Sequence, residues 1–93
     1  TLIKPQFEAG REHVGKNGVV LDPDTHYSVI SEVLDFSNKL GWDFAGLDYS
    51  PITGPKGNIE FLAEIRESGK TKHVISQDDI KRVVTEAHLM MDR

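Results

Sequence analysis

Ile59-Glu60-Phe61-Leu62-Ala63-Glu64-Ile65-Arg66 is the clearest period-two segment of the chain. Ile59, Phe61, Ala63 and Ile65 alternate with Glu60, Leu62, Glu64 and Arg66, the pattern of a strand with one face on a core. Just before it, Ser50-Pro51-Ile52-Thr53-Gly54-Pro55-Lys56-Gly57-Asn58 is rich in turn formers and reads as a connection. Before that, Trp42 to Tyr49 reads as another strand through Phe44, Ala45, Leu47 and Tyr49, weakened at Gly46. The short connection predicts that these two strands run antiparallel.

Working outward, Asp22-Pro23-Asp24 is a helix start, with a capping aspartate and an early proline. Tyr27, Ile30, Val33, Leu34 and Leu40 follow at helical spacing, Val29 and Phe36 widen the stripe, and Gly41 stops it. The spacing predicts a helix over 24–40. Leu2 and Ile3 read as the end of a buried strand that Pro5 terminates. Residues 8–22 read as a loop bearing Gly10, Gly15 and Gly18 with Arg11, His13 and Lys16. Beyond a polar loop at 67–74, Ser76 caps a second helix. Its apolar stripe is Ile80, Val83, Val84, Ala87, Met90 and Met91.

This order has a geometric consequence. A strand-helix-strand unit is normally a right-handed crossover joining parallel strands. Lys4 and Ser50 then end their strands at one carboxyl edge, and the returning third strand starts there, at Asn58 to Glu60. That edge is where open α/β sheets bind ligands. Lys4 and Glu60 are therefore expected to approach each other, with loops 8–22 and 51–58 flanking them.

Composition narrows the functions. The 93 residues suit one small domain or part of a larger one. The chain opens without Met on the apolar Thr1-Leu2-Ile3, and is expected to be a piece of a longer protein. It has no cysteine, which excludes a disulfide scaffold, a cysteine zinc site and a thiol nucleophile. A net charge of −4 argues against a wholly basic nucleic-acid module. No apolar run reaches the roughly 20 residues that span a bilayer. His13, His26, His73 and His88 lack metal-ligand spacing and read as surface or satisfied histidines. Ser50 has no matched His and Asp for a hydrolase triad, and Trp42 reads as a packing residue.

Two longer motifs carry a resemblance. Leu2-Ile3-Lys4-Pro5-Gln6-Phe7-Glu8-Ala9-Gly10-Arg11-Glu12-His13-Val14-Gly15-Lys16-Asn17-Gly18-Val19-Val20 resembles a late-strand segment of the hemolysin-A-type (TlyA) proteins. Ser50 to Phe61 resembles their later turn and strand, of the form SPxxGPxGNxE. The likeness runs over roughly residues 2–66. It implies the FtsJ-like RNA methyltransferases, and with them the C-terminal part of a Rossmann-like α/β sheet. There a final antiparallel strand lies between two parallel ones, with flanking helices. On this reading residues 1–93 are the C-terminal portion of that domain. An S4-type RNA-binding domain and the S-adenosylmethionine-binding half would lie upstream.

The resemblance further implies cytoplasmic 2'-O-methylation of cytidine in ribosomal RNA, with ribosomal RNA or subunits as partner. Of the family's Lys-Asp-Lys-Glu tetrad, Lys4 matches the second lysine and Glu60 the glutamate. Arg11 and Lys16 are candidate phosphate contacts, Asn58 a candidate RNA contact and Lys56 a weaker one. A ribose hydroxyl is a poor nucleophile and must be aligned and relieved of its proton. A lysine supported by a carboxylate can do this. The isolated piece is expected to be inactive, and its exposed strand edge could drive self-association. Two other classes remain open: a noncatalytic RNA-binding module, and a membrane-active hemolysin using the amphipathic helix at 76–91.

Overall fold

The computed structural model describes residues 1–10, 14–15 and 18–91. Strand β1 (Leu2–Ile3) leads into a one-turn helix α1 (Pro5–Glu8), then the long helix α2 (Pro23–Lys39) and strand β2 (Trp42–Tyr49). A single 3₁₀ turn at Pro55–Gly57 precedes strand β3 (Phe61–Glu67), and helix α3 (Gln77–Met91) follows. The sheet order is β1-β3-β2, and both pairings are antiparallel. So β1 and β2 run the same way with β3 reversed between them, the arrangement expected from the family resemblance.

Local chemistry explains the helix ends. The Asp24 amide donates to Asp22 Oδ1 at 3.0 Å, and Pro23 occupies the first helical turn, where its missing N–H costs nothing. At the other end Gly41, at φ +90°, provides the left-handed exit that a Cβ would oppose. Ser76 and Asp79 cap α3 reciprocally. The Asp79 amide donates to Ser76 Oγ at 3.2 Å, and the Ser76 amide donates to Asp79 Oδ2 at 2.9 Å.

Both long helices pack on one face of the sheet. Ile3, Phe44, Phe61 and Ala63 meet Ile30, Leu34, Ile80, Val83 and Val84 in a continuous core. The alternation in β3 is realised: Phe61 and Ala63 are buried while Leu62, Glu64 and Arg66 are exposed. The weakness expected at Gly46 is an irregularity. Phe44 pairs with Ile65 but Gly46 with Glu64, which leaves Ala45 as the extra residue of a bulge. The bulge keeps Phe44 and Leu47 on the core side of the sheet despite their odd spacing.

Three expectations need correction. Residues 5–8 form a helical turn where only the end of strand pairing was expected, because Pro5 sits at its first position and the Lys4 carbonyl accepts from Phe7 and Glu8. Phe36 and Leu40, expected in the core stripe, are exposed, as is Met90. They lie near the C-terminal ends of the two helices, beyond the small sheet. Trp42, read as packing, is 42% exposed at the start of β2.

Candidate active site at the carboxyl edge

Register brings the two predicted catalytic residues to one place. Thr1 and Ala63 exchange both backbone hydrogen bonds at 2.8 Å, Leu2 faces Leu62 and Ile3 faces Phe61. One more step sets Lys4 opposite Glu60. The ladder itself ends at Ile3 and Phe61, and the alternation of its pairs would make the next step a non-hydrogen-bonded one, whose side chains share a face. On the other side, the Ser50 amide donates to the Glu60 carbonyl at 2.8 Å, so the β2–β3 ladder also reaches Glu60.

The surroundings of the two differ. Lys4 is the extended residue before α1, its peptide held by the bonds from Phe7 and Glu8 at 2.9 and 3.2 Å. Its Nζ lies 5.8 Å from the Phe7 ring centroid, a cation–π distance. Glu60 is only 7% exposed, although Leu62, next along the same face, is 44% exposed. Gln6 and Gly54 cover it. Gln6 Nε2 donates to Glu60 Oε2 at 2.8 Å, and any Cβ at residue 54 would overlap the Glu60 carboxylate. Gln6 Oε1 is buried with no hydrogen-bond partner among the described residues. The ion pairs among the described residues do not include Lys4 with Glu60.

Asn58 joins the two flanking loops. Its Oδ1 accepts from the Val20 amide at 2.9 Å, and its Nδ2 donates to the Gly18 and Pro55 carbonyls at 2.8 and 3.0 Å. It is 2% exposed, so its carboxamide is spent inside the protein, away from the surface where an RNA contact was expected. The sharp turn before it uses Lys56 and Gly57 at φ +60° and +84°. Arg11, Lys16 and His13 lie outside the described residues.

The roomiest cleft, about 310 Å³, lies between α1 and the start of α2, and Lys4 and Glu60 do not line it. Glu8, Asp22, Asp24 and Glu32 line it, so it would repel phosphate. Burial raises the Glu8 carboxyl above its ordinary range, partly offset by a hydrogen bond to the Lys4 backbone. His26 is fully buried, its Nδ1 2.7 Å from His88 Nε2 and its Nε2 3.1 Å from the Val20 carbonyl oxygen. These bonds satisfy it, as the sequence reading required. Among the described residues no cluster of three or more His, Cys, Asp or Glu could hold a metal, and no helix is long and apolar enough to cross a membrane.

Sequence reasoning missed Gln6 and Gly54. Gln6 sits two residues from Lys4 in the first motif and Gly54 within the second, but no spacing rule joins either to Glu60. Only the ladder and the two turns do so.

Residues 1–66 match the FtsJ-like methyltransferase family. The chain belongs to that family. TlyA of Mycobacterium tuberculosis, a 16S/23S rRNA (cytidine-2'-O)-methyltransferase, is 36% identical over 89 residues, which are 91% of this chain and 32% of TlyA. YqxC of Bacillus subtilis is 48% identical over 89 residues, 94% of this chain and 32% of YqxC. A solved structure of a Streptococcus thermophilus protein bearing the hemolysin name superimposes with a TM-score of 0.84 at 44% identity, covering 95% of this chain and 31% of that one. This FtsJ-like chain thus spans about a third of the length of the curated relatives it matches. The described residues offer an amine, a carboxylate and an amide at one edge.

Proposed function

We propose that the intact protein is a cytoplasmic S-adenosylmethionine-dependent methyltransferase acting on the 2'-oxygen of a cytidine in ribosomal RNA. Lys4 and Glu60 are two of its catalytic residues. The observation that carries this reading is the β1–β3 register, which sets the Lys4 end of one strand against the Glu60 end of its neighbour in a chain of the FtsJ-like family. The name of TlyA supports the substrate class. The cofactor, seated by parts of the protein outside this chain, supplies an electrophilic methyl group.

The chain's own residues act on the RNA side. Lys4 hydrogen-bonds the 2'-hydroxyl, holds it in line and stabilises the negative charge that develops on the oxygen as its proton passes to water. Glu60, nearly removed from water, orients the Lys4 ammonium. Arg11 and Lys16 contact RNA phosphates. Asn58 serves the RNA through the shape of the loops it ties together. On this reading the isolated chain transfers no methyl group, because the residues that seat the cofactor are expected upstream of it.

The test is methyl transfer to ribosomal subunits by the intact protein from labelled cofactor. The wild type labels cytidine 2'-oxygens, and Lys4→Ala and Glu60→Gln each lower labelling by about 10²- to 10³-fold while the fold persists. Full labelling by both variants rejects the assignment. Labelling of a base, not a ribose, rejects the reaction.

A further inference from the structure

We infer that Gln6 is a positioning residue: its carboxamide, in the room left by the bare Cα of Gly54, holds the Glu60 carboxylate in one orientation toward the Lys4 ammonium. This deepens the proposed function and rests on Glu60 being catalytic.

The argument begins with what else could fill the place of Gln6. Its Nε2 donates to Glu60 Oε2 at 2.8 Å, while its Oε1 is buried and unpartnered among the described residues. Folded proteins rarely leave a buried polar atom unpaired, and a side chain serving only to pack would be apolar. A half-satisfied amide is retained for the bond its other half makes. The choice of amide is also chemical. A glutamine N–H donates to a carboxylate without a titrating proton, whereas a glutamate there would set two carboxyl groups in contact.

Gly54 leaves the room for this. Its φ is −76°, so backbone strain does not demand glycine there. Space does, because a Cβ would overlap the Glu60 carboxyl group. The loop carrying Gly54 is itself anchored, its amide donating to the Asn58 carbonyl at 2.7 Å. Glu60 is therefore confined by Gln6, 54 residues away in the chain, and by the turn that leads into its own strand, while Lys4 reaches the same edge from β1.

The experiment uses the intact protein and measures kcat and KM on ribosomal subunits across pH. Gln6→Ala and Gly54→Ala are expected to lower kcat on the order of 10- to 100-fold with KM nearly unchanged, the signature of a misaimed group. Combined with Glu60→Gln, Gln6→Ala is expected to cause no further loss beyond about twofold, since both act through one carboxylate. If Gln6→Ala does not fold, the near-isosteric Gln6→Glu carries the test. Its activity relative to wild type should rise as pH falls and one proton bridges the two carboxyl groups.

Wild-type kcat in Gln6→Ala beside an impaired Glu60→Gln overturns the positioning role alone. So does a fully additive double variant, or a Gln6→Glu ratio flat with pH. Wild-type activity of Glu60→Gln overturns the catalytic reading beneath it.

Discussion

Two regions of this small protein bury polar side chains, and they do so differently. At the loop bracket, Asn58 spends all of its carboxamide capacity on Val20, Gly18 and Pro55. At Glu60, two residues on from Asn58, Gln6 spends only its amide nitrogen. A saturated polar network rigidifies a fold, while a half-saturated one costs stability and is kept for another reason. The first region shapes the edge and the second, on the proposed function, works at it.

The sharpest way to break that contrast is at the Lys4–Glu60 pair. Replacing Lys4 by Ala in the intact protein should lower methyl transfer by about 10²- to 10³-fold, or roughly 3–4 kcal/mol of transition-state stabilisation. The thermal midpoint should stay close to wild type. A large drop in that midpoint would show that the pair serves the fold. Asn58→Ala should do the reverse. It strands the Val20 amide and two carbonyls, at roughly 1–3 kcal/mol for a buried group left unpaired, and denaturant melts would register it as lost stability. Unchanged stability would dissolve the distinction between the regions.

A smaller effect belongs to the α3 cap, remote from both. Ser76→Ala removes the acceptor of the Asp79 amide and should cost about 1 kcal/mol with methyl transfer intact. The smallest effect is a pH dependence. Hydrogen bonds from the Ser76 backbone and side chain, and the nearby His73, hold Asp79 below its ordinary range. A depressed carboxyl stabilises the fold at pH above its unfolded value, and that contribution disappears as pH falls through the folded one. Thermal midpoints should therefore fall less between pH 5 and about 2 in Asp79→Asn than in the wild type. Parallel curves would remove Asp79 from the account.

Much of this architecture was legible along the chain, because the signals are local. The alternation from Phe61 to Arg66, the Asp22 and Ser76 caps and the Gly41 exit each depend on a few neighbouring residues, and all are realised. The two motifs named Lys4 and Glu60 through a resemblance, and the strand order followed from it. Exposure at the helix ends was not legible: Phe36 and Met90 keep helical spacing, but spacing cannot tell where the sheet beneath them stops.

What the amino acids alone determined is which segments become strands and helices and which end of each carries charge. Tertiary structure decided what those ends touch. The bond from Gln6 to Glu60 and the overlap that a Cβ at residue 54 would cause exist only once β3 inserts between β1 and β2 and the turn after β2 folds back. Hydrogen bonds and steric overlap act over a few ångströms, so residues distant in sequence acquire such relations only from the register that brings their backbones together.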